Sequence, residues 1–238
     1  MSDTTSVASF IFKYRQQNGR TYHAYQTDGE YKSYFLPNDE PGFVPPNVEF
    51  FVDDVEVDWN FVHKFDFIYA RFMTGSLKDW PRFFRQAFTH LQPGGYVEVC
   101  DILSPLHCDD GTLKDDSPSL RWSKLLLEAS HKIGAPLDSA RDYKQQMTDA
   151  GFRDVVQVEY KWPTNGWPKD QRHKEIGIFS NINLTAALHA LTMMLFTQVL
   201  GWSPVEVEVL LAGVRSDTNN RDIHAYWPIW VVYGQKPE

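Results

Sequence analysis

A chain of 238 residues, 42% hydrophobic and 15% aromatic, has material for one large α/β domain or a domain with an extension. Its formal net charge of -8 argues against a broad nucleic-acid footprint, which needs a basic face. No apolar run approaches the ~20 residues of a membrane-crossing helix, and two cysteines, Cys100 and Cys108, make no disulfide framework.

Residues 1 to 46 are polar and aromatic with little period, and read as an arm: an irregular surface extension or a functional lid. Met1 to Gln17 lacks a basic start followed by an apolar block, so it does not read as a secretory signal. With two thiols and a reducing compartment, the expected location is the cytoplasm, with the nucleus left open. Asn47 to Val57 predicts a strand ending in acids, with Asp53 and Asp54 at its end. Phe65 to Arg71 is a second apolar run of strand length. Asp79 and Pro81 then cap and open a helix, and Phe84, Ala87, Phe88 and Leu91 make one buried stripe. Pro93-Gly94-Gly95 stops it, and Tyr96 to Leu103 is a third β-forming run. Strand, crossover helix and strand in that order make a βαβ unit and a parallel sheet. As pattern alone this is scaffold, since fold does not imply function.

Ser104 to Asp116 is an acidic loop without the ordered spacing of a calcium site, so it reads as a solvated turn and no metal is expected. Helices follow from Ser117-Pro118 to about Ile133 and from about Ser139 to Ala150, closed by Gly134 and Gly151. Phe152 to Trp162 alternates, with Val156, Val158, Tyr160 and Trp162 on one face, as in a strand covered on one side. Helical blocks from about Gln171 to Leu200 and from Ser203 to about Arg215 come next. The apolar stretch Leu184 to Leu200 is broken by His189, Thr192, Thr197 and Gln198, so no membrane association is expected. His224 to Tyr233 is the last strand, with Pro228 arguing for an edge or a bulge. The expected domains are the arm, 1–46, and an α/β domain, 47–238, with a helical insertion at about 166–216.

The segments PPNVEFFVDDVE (45–56), FDFIYAR (65–71), KDWPRFFRQAFTHLQPGGYVEV (78–99), DDGTL (109–113), AGFRDV (150–155), LGWSPVEVEVLLAGVR (200–215) and IHAYWPIWVVYGQKP (223–237) form a set. By that set the chain resembles the fungal LaeA-like, TAM-domain methyltransferases dependent on S-adenosylmethionine. The stretch from Arg20 to Glu40, with Tyr31 and LPNDE, is similar to their entry segment. The resemblance implies the class I methyltransferase fold, a Rossmann-like sheet of order 3-2-1-4-5-7-6 with helices on both faces, and a place in secondary metabolism. It implies that Asp54 accepts from the adenine amino group of S-adenosylmethionine, that the Val55 backbone N–H serves the ring, and that Ala70 and Arg71 lie beside the methionine part. The ends of strands are where an open α/β sheet holds its ligands. Without the resemblance, Asp53 and Asp54 read equally as a solvated strand end.

The family carries a glycine-rich loop after its first strand, where the backbone approaches the cofactor at φ values only glycine adopts freely. None of the 14 glycines here forms a Gly-x-Gly. The sequence passes from LPNDE (36–40) directly to PGFVPPNVEF (41–50), without the first strand, its loop, the first helix and the second strand. The fourth family strand, Phe65 to Ala70, then needs a new neighbour, because unpaired backbone on a buried edge is costly. Asn47 to Val52 could supply it, or the arm, or a second protein; the first is expected, giving a sheet of about five strands. Two functions follow. One is methylation of a small secondary metabolite by in-line displacement from a sulfonium, with His224 or His23 as candidate bases. The other is a non-methylating relative that binds or regulates pathway proteins, through an exposed sheet edge among other surfaces.

Overall fold

The computed structural model describes the backbone at residues 14–17 and 20–23 and the chain at residues 53–238. The chain divides into two units, Met1–Asp54 and Val55–Glu238. In the first, Tyr14–Gln17 (β1) and Arg20–His23 (β2) pair antiparallel, Tyr14 opposite His23. The expected strand at Asn47–Val52 lies outside the described residues, as does the rest of the arm. Its continuation, Asp53–Val57, is turn rather than strand. Asp53 bends it locally, its carboxylate accepting the Asp54 N–H at 2.8 Å.

In the second unit Phe65–Arg71 is β3 and Trp80–His90 is α1. The Asp79 carboxylate accepts the Arg82 N–H at 2.8 Å and Pro81 stands in the first turn. Phe84 and Ala87 are buried from the predicted stripe, joined by Trp80 and Phe83. The helix ends at His90 and β4, Leu91–Ile102, begins at once, so Leu91 is a strand residue. Pro93-Gly94-Gly95 is an irregularity within β4, where pairing jumps from Phe65–Leu91 to Phe67–Tyr96. Gly95 is needed there, since a Cβ would stand 2.9 Å from the Asp66 carbonyl oxygen.

Pro118–Lys132 is α2, a 3-10 turn at Ser139–Asp142 leads into α3, Tyr143–Asp149, and Arg153–Pro163 is β5. Gln171–Met194 is α4, extended by a π turn at Leu195–Val199, and Pro204–Asn219 is α5. Tyr226–Gln235 is β6. The sheet of this unit has the order β3-β4-β6-β5. β3 and β4 are parallel, and β6 runs antiparallel to both β4 and β5. This is the second half, 4-5-7-6, of the order the resemblance implies. This sheet has four strands among the described residues, where about five are expected, and the segment expected to supply the fifth, Asn47–Val52, lies outside those residues. Among those residues β3 pairs with β4 alone and stands at the edge.

Two expectations are corrected. β6 is interior, not an edge, and Pro228 is accommodated because the β4–β6 register ends one residue later, at Ile102–Ile229; its carbonyl still accepts from Leu103 N–H at 2.9 Å. Gln171–Val199 is a helix long and apolar enough to cross a membrane, by length and composition only. The apolar stretch is longer than Leu184–Leu200 because Ile176 to Ile182 joins it, and two of its polar breaks, Thr192 and Thr197, are satisfied internally. Thr192 donates to Leu188 O and accepts from Trp122 Nε1 at 2.8 Å.

Two main cores result. The first packs α1 and α3 on one face of the sheet, with Phe84, Tyr143, Met147, Val97 and Val99 at its centre. The second joins α2, α4 and α5 around Trp122, Phe196 and Leu211.

Candidate functional site

β3, β4 and β5 run in one direction and end at Arg71, Ile102 and Pro163, so their carboxyl ends form one rim. The pleat sorts the side chains. Ile68, Ala70, Val97, Val99 and Val232 enter the first core. The opposite face carries Phe67, Tyr69 and Arg71 of β3, Glu98 of β4, Tyr233 of β6, and Tyr160 and Trp162 of β5. Among the described residues this second face is bare in large part: Phe67 is 55%, Tyr69 49%, Val156 37% and Tyr160 54% exposed. The alternation in β5 therefore does not place its apolar face under cover, contrary to the expectation above. Phe67 and Tyr69 stack on each other at 6.2 Å.

At the rim of this face three side chains meet across the whole sheet. Phe72 follows β3 and Trp162 belongs to β5, with β4 and β6 between, yet their rings touch edge to face at 5.6 Å. The Arg71 guanidinium lies over Phe72 at 4.7 Å and Trp162 at 5.8 Å. Phe72 reaches this position with φ +55, a left-handed backbone that costs a non-glycine residue about 1–2 kcal/mol. Its N–H still donates to Cys100 O at 2.9 Å, which fixes the distorted residue to the end of β4. On the same face Cys100 and Ile229 are buried, and burial raises the Cys100 thiol pKa.

On the core face Asp101 holds the loop that follows Phe72. Its carboxylate is fully buried and accepts the Thr74 N–H at 3.1 Å and the Tyr143 hydroxyl at 2.8 Å. Burial pushes its pKa up to about 6 against the pull of those hydrogen bonds. Tyr143 is raised as well, by burial first.

A second polar group stands at the same end of the sheet, where the loops after β4 and β5 meet the start of β6. Asp110 accepts from Thr112 Oγ1 at 2.8 Å and from Cys108 Sγ at 3.1 Å, and its other oxygen contacts His224 Nδ1. His224 stacks on Trp167 at 4.7 Å. The hydrogen bond from His224, more than any other cause, holds Asp110 well below the usual carboxylate range. Beside it Asp109 accepts from Lys161 at 2.6 Å and from the Tyr226 hydroxyl at 2.7 Å. The acidic loop read as a solvated turn is thus organised by partners about 50 to 117 residues away. Of the two candidate bases, His224 lies here. His23 is described by its backbone alone.

Asp54 closes the first unit and is buried. Val55 opens the second, half-buried against the first core, its carbonyl accepting from Trp59 Nε1 at 3.0 Å and Gln86 Nε2 at 3.2 Å. Ala70 points into that core, and Arg71 points the other way. So Val55 and Ala70 share a core, while Arg71 belongs to the rim cluster. Phe72 and Trp162 carry no local signal in the sequence that joins them.

The sequence has no Gly-x-Gly loop to cradle S-adenosylmethionine. Gly75, φ +75, is the glycine that follows β3, and its close approach is to Leu137, 2.7 Å from a Cβ placed there. Ala70 packs in the core, and the Arg71 guanidinium lies over two aromatic rings.

A family profile described as a methyltransferase domain matches residues 11–158. Over 198 residues the chain is 43% identical to the methyltransferase pytC of Aspergillus terreus, covering 83% of this chain and 61% of that protein. It is 39% identical over 184 residues to the probable methyltransferase tdiE of Emericella nidulans, 77% of this chain and 58% of that one. To the secondary metabolism regulator LAE1 of Cochliobolus heterostrophus it is 35% identical over 207 residues, 85% and 67% of the two. The chain spans about three-fifths of the length of the first two relatives.

Proposed function

The chain belongs to the methyltransferase-domain family, with the fungal LaeA-like proteins, and from that premise we propose that it acts on a small molecule in fungal secondary metabolism. The observation that carries this reading is the half of the fold that is kept. Three strands end together at Arg71, Ile102 and Pro163, the helical insertion follows, and an aromatic face with one arginine lies at that rim. In methyl transfer from a sulfonium the protein chiefly positions donor and acceptor. This chain's residues supply a surface for the acceptor. They supply no glycine cradle for the donor, so the 238-residue polypeptide is a small-molecule-binding member of the family that does not transfer methyl groups on its own.

The relatives named as methyltransferases favour a second reading, in which the chain methylates its small molecule. Calorimetry with S-adenosylmethionine and its demethylated product separates the two. Dissociation weaker than millimolar is expected. Micromolar binding, together with a methylated product in an assay of the same preparation, would overturn the first reading and establish the second.

A further inference from the structure

We infer that the bare sheet face ending at Arg71 binds a planar aromatic carboxylic acid, its carboxylate on Arg71 and its ring system on the exposed tyrosines. This deepens the small-molecule reading and rests on it. Three observations meet at Arg71. Its guanidinium is exposed and makes no hydrogen bond or ion pair among the described residues, so its five donors are free. Two aromatic planes, Phe72 and Trp162, hold it over their rings rather than in extended solvent positions. One of those planes is fixed by a strained backbone, and such strain persists only where surrounding structure imposes it.

A guanidinium fixed in this way presents its fork as a unit, which suits a carboxylate better than a mobile lysine does. On the same face Tyr69 and Tyr233 stand one register step below it, flanking Glu98, and Tyr160 stands one step nearer the rim, so aromatic rings on both sides can take an aromatic body. Glu98 stands on that face opposite Tyr69, one alternation back from Cys100, which pairs with Arg71. Its charge disfavours an acid group at that point and favours a donor. The ligand that matches is an aromatic acid with a hydroxyl or ring N–H at the end far from its carboxylate.

The test is titration of the full chain with 6-hydroxy-2-naphthoic acid, its methyl ester, and 2-naphthoic acid. The acid is expected to bind at least tenfold more tightly than the ester. Arg71→Met should abolish that difference, and Arg71→Lys should restore part of it, which a general loss of folding would not do. Glu98→Gln should reduce the preference for the hydroxylated acid over 2-naphthoic acid. Equal binding of acid and ester by the unaltered chain overturns the carboxylate assignment and leaves the small-molecule reading standing. Failure of all three probes to bind overturns the use of this face and, with it, the acceptor surface proposed above.

Discussion

Asp101 is the residue whose chemistry most directly shapes the rim. Burial raises its carboxyl pKa, to about 6 from an ordinary 3.8. The folded protein therefore binds its proton more tightly than the unfolded chain does. Below the ordinary value both states are protonated and the residue costs nothing. As pH rises from 3.8 toward 6 the unfolded chain ionises first, and stability falls by about 3 kcal/mol across that window. Denaturant melts across that range are expected to show this decline, and Asp101→Asn is expected to flatten it. An unchanged slope in the variant would assign the pH dependence elsewhere. Phe72 could not be singled out beforehand, because nothing in FDFIYARFMTG tells a β-forming phenylalanine from one held at positive φ.

Between elements, Gly177 sets the closest approach of the described glycines. A Cβ there would stand 1.9 Å from the Asn165 carbonyl oxygen, a backbone atom that cannot swing aside. Gly177→Ala is expected to cost about 2–3 kcal/mol as α4 lifts from the end of β5, read as a fall in thermal midpoint. Midway along a helix this glycine has no turn to explain it, and its use is visible only when the β5 end is docked. Helix starts were legible by contrast. Asp79 and Ser203 cap because their side chains reach N–H groups three residues on, and Ser203 with Glu206 forms the reciprocal pair. The helix ends were less so: α5 continues to Asn219, past the expected Arg215, with the Thr218 hydroxyl bonded back to Val214 O.

At the scale of the whole molecule, the sheet order distinguishes strands that look alike in sequence. β4 and β6 are paired on both sides, while β3 pairs with β4 alone among the described residues. Amide hydrogen exchange is expected to be slowest in β4 and β6 and faster at alternate amides of β3. Uniform protection of β3 at the level of β4 would mean that a further strand pairs with it. The same bare surface explains why hydrophobic alternation in β5 misled. Period two reports which residues share a face, but not whether another layer covers it.

Taken alone, the sequence determined most of the described elements, the family and the missing glycine loop, since capping, periodicity and the chemistry of a tight turn are local. It did not determine that Arg71, Phe72 and Trp162 meet, that Asp110 finds His224, or that β6 slots inside the sheet. Those contacts join residues some 90 to 140 positions apart, and only packing of the assembled strands brings them together.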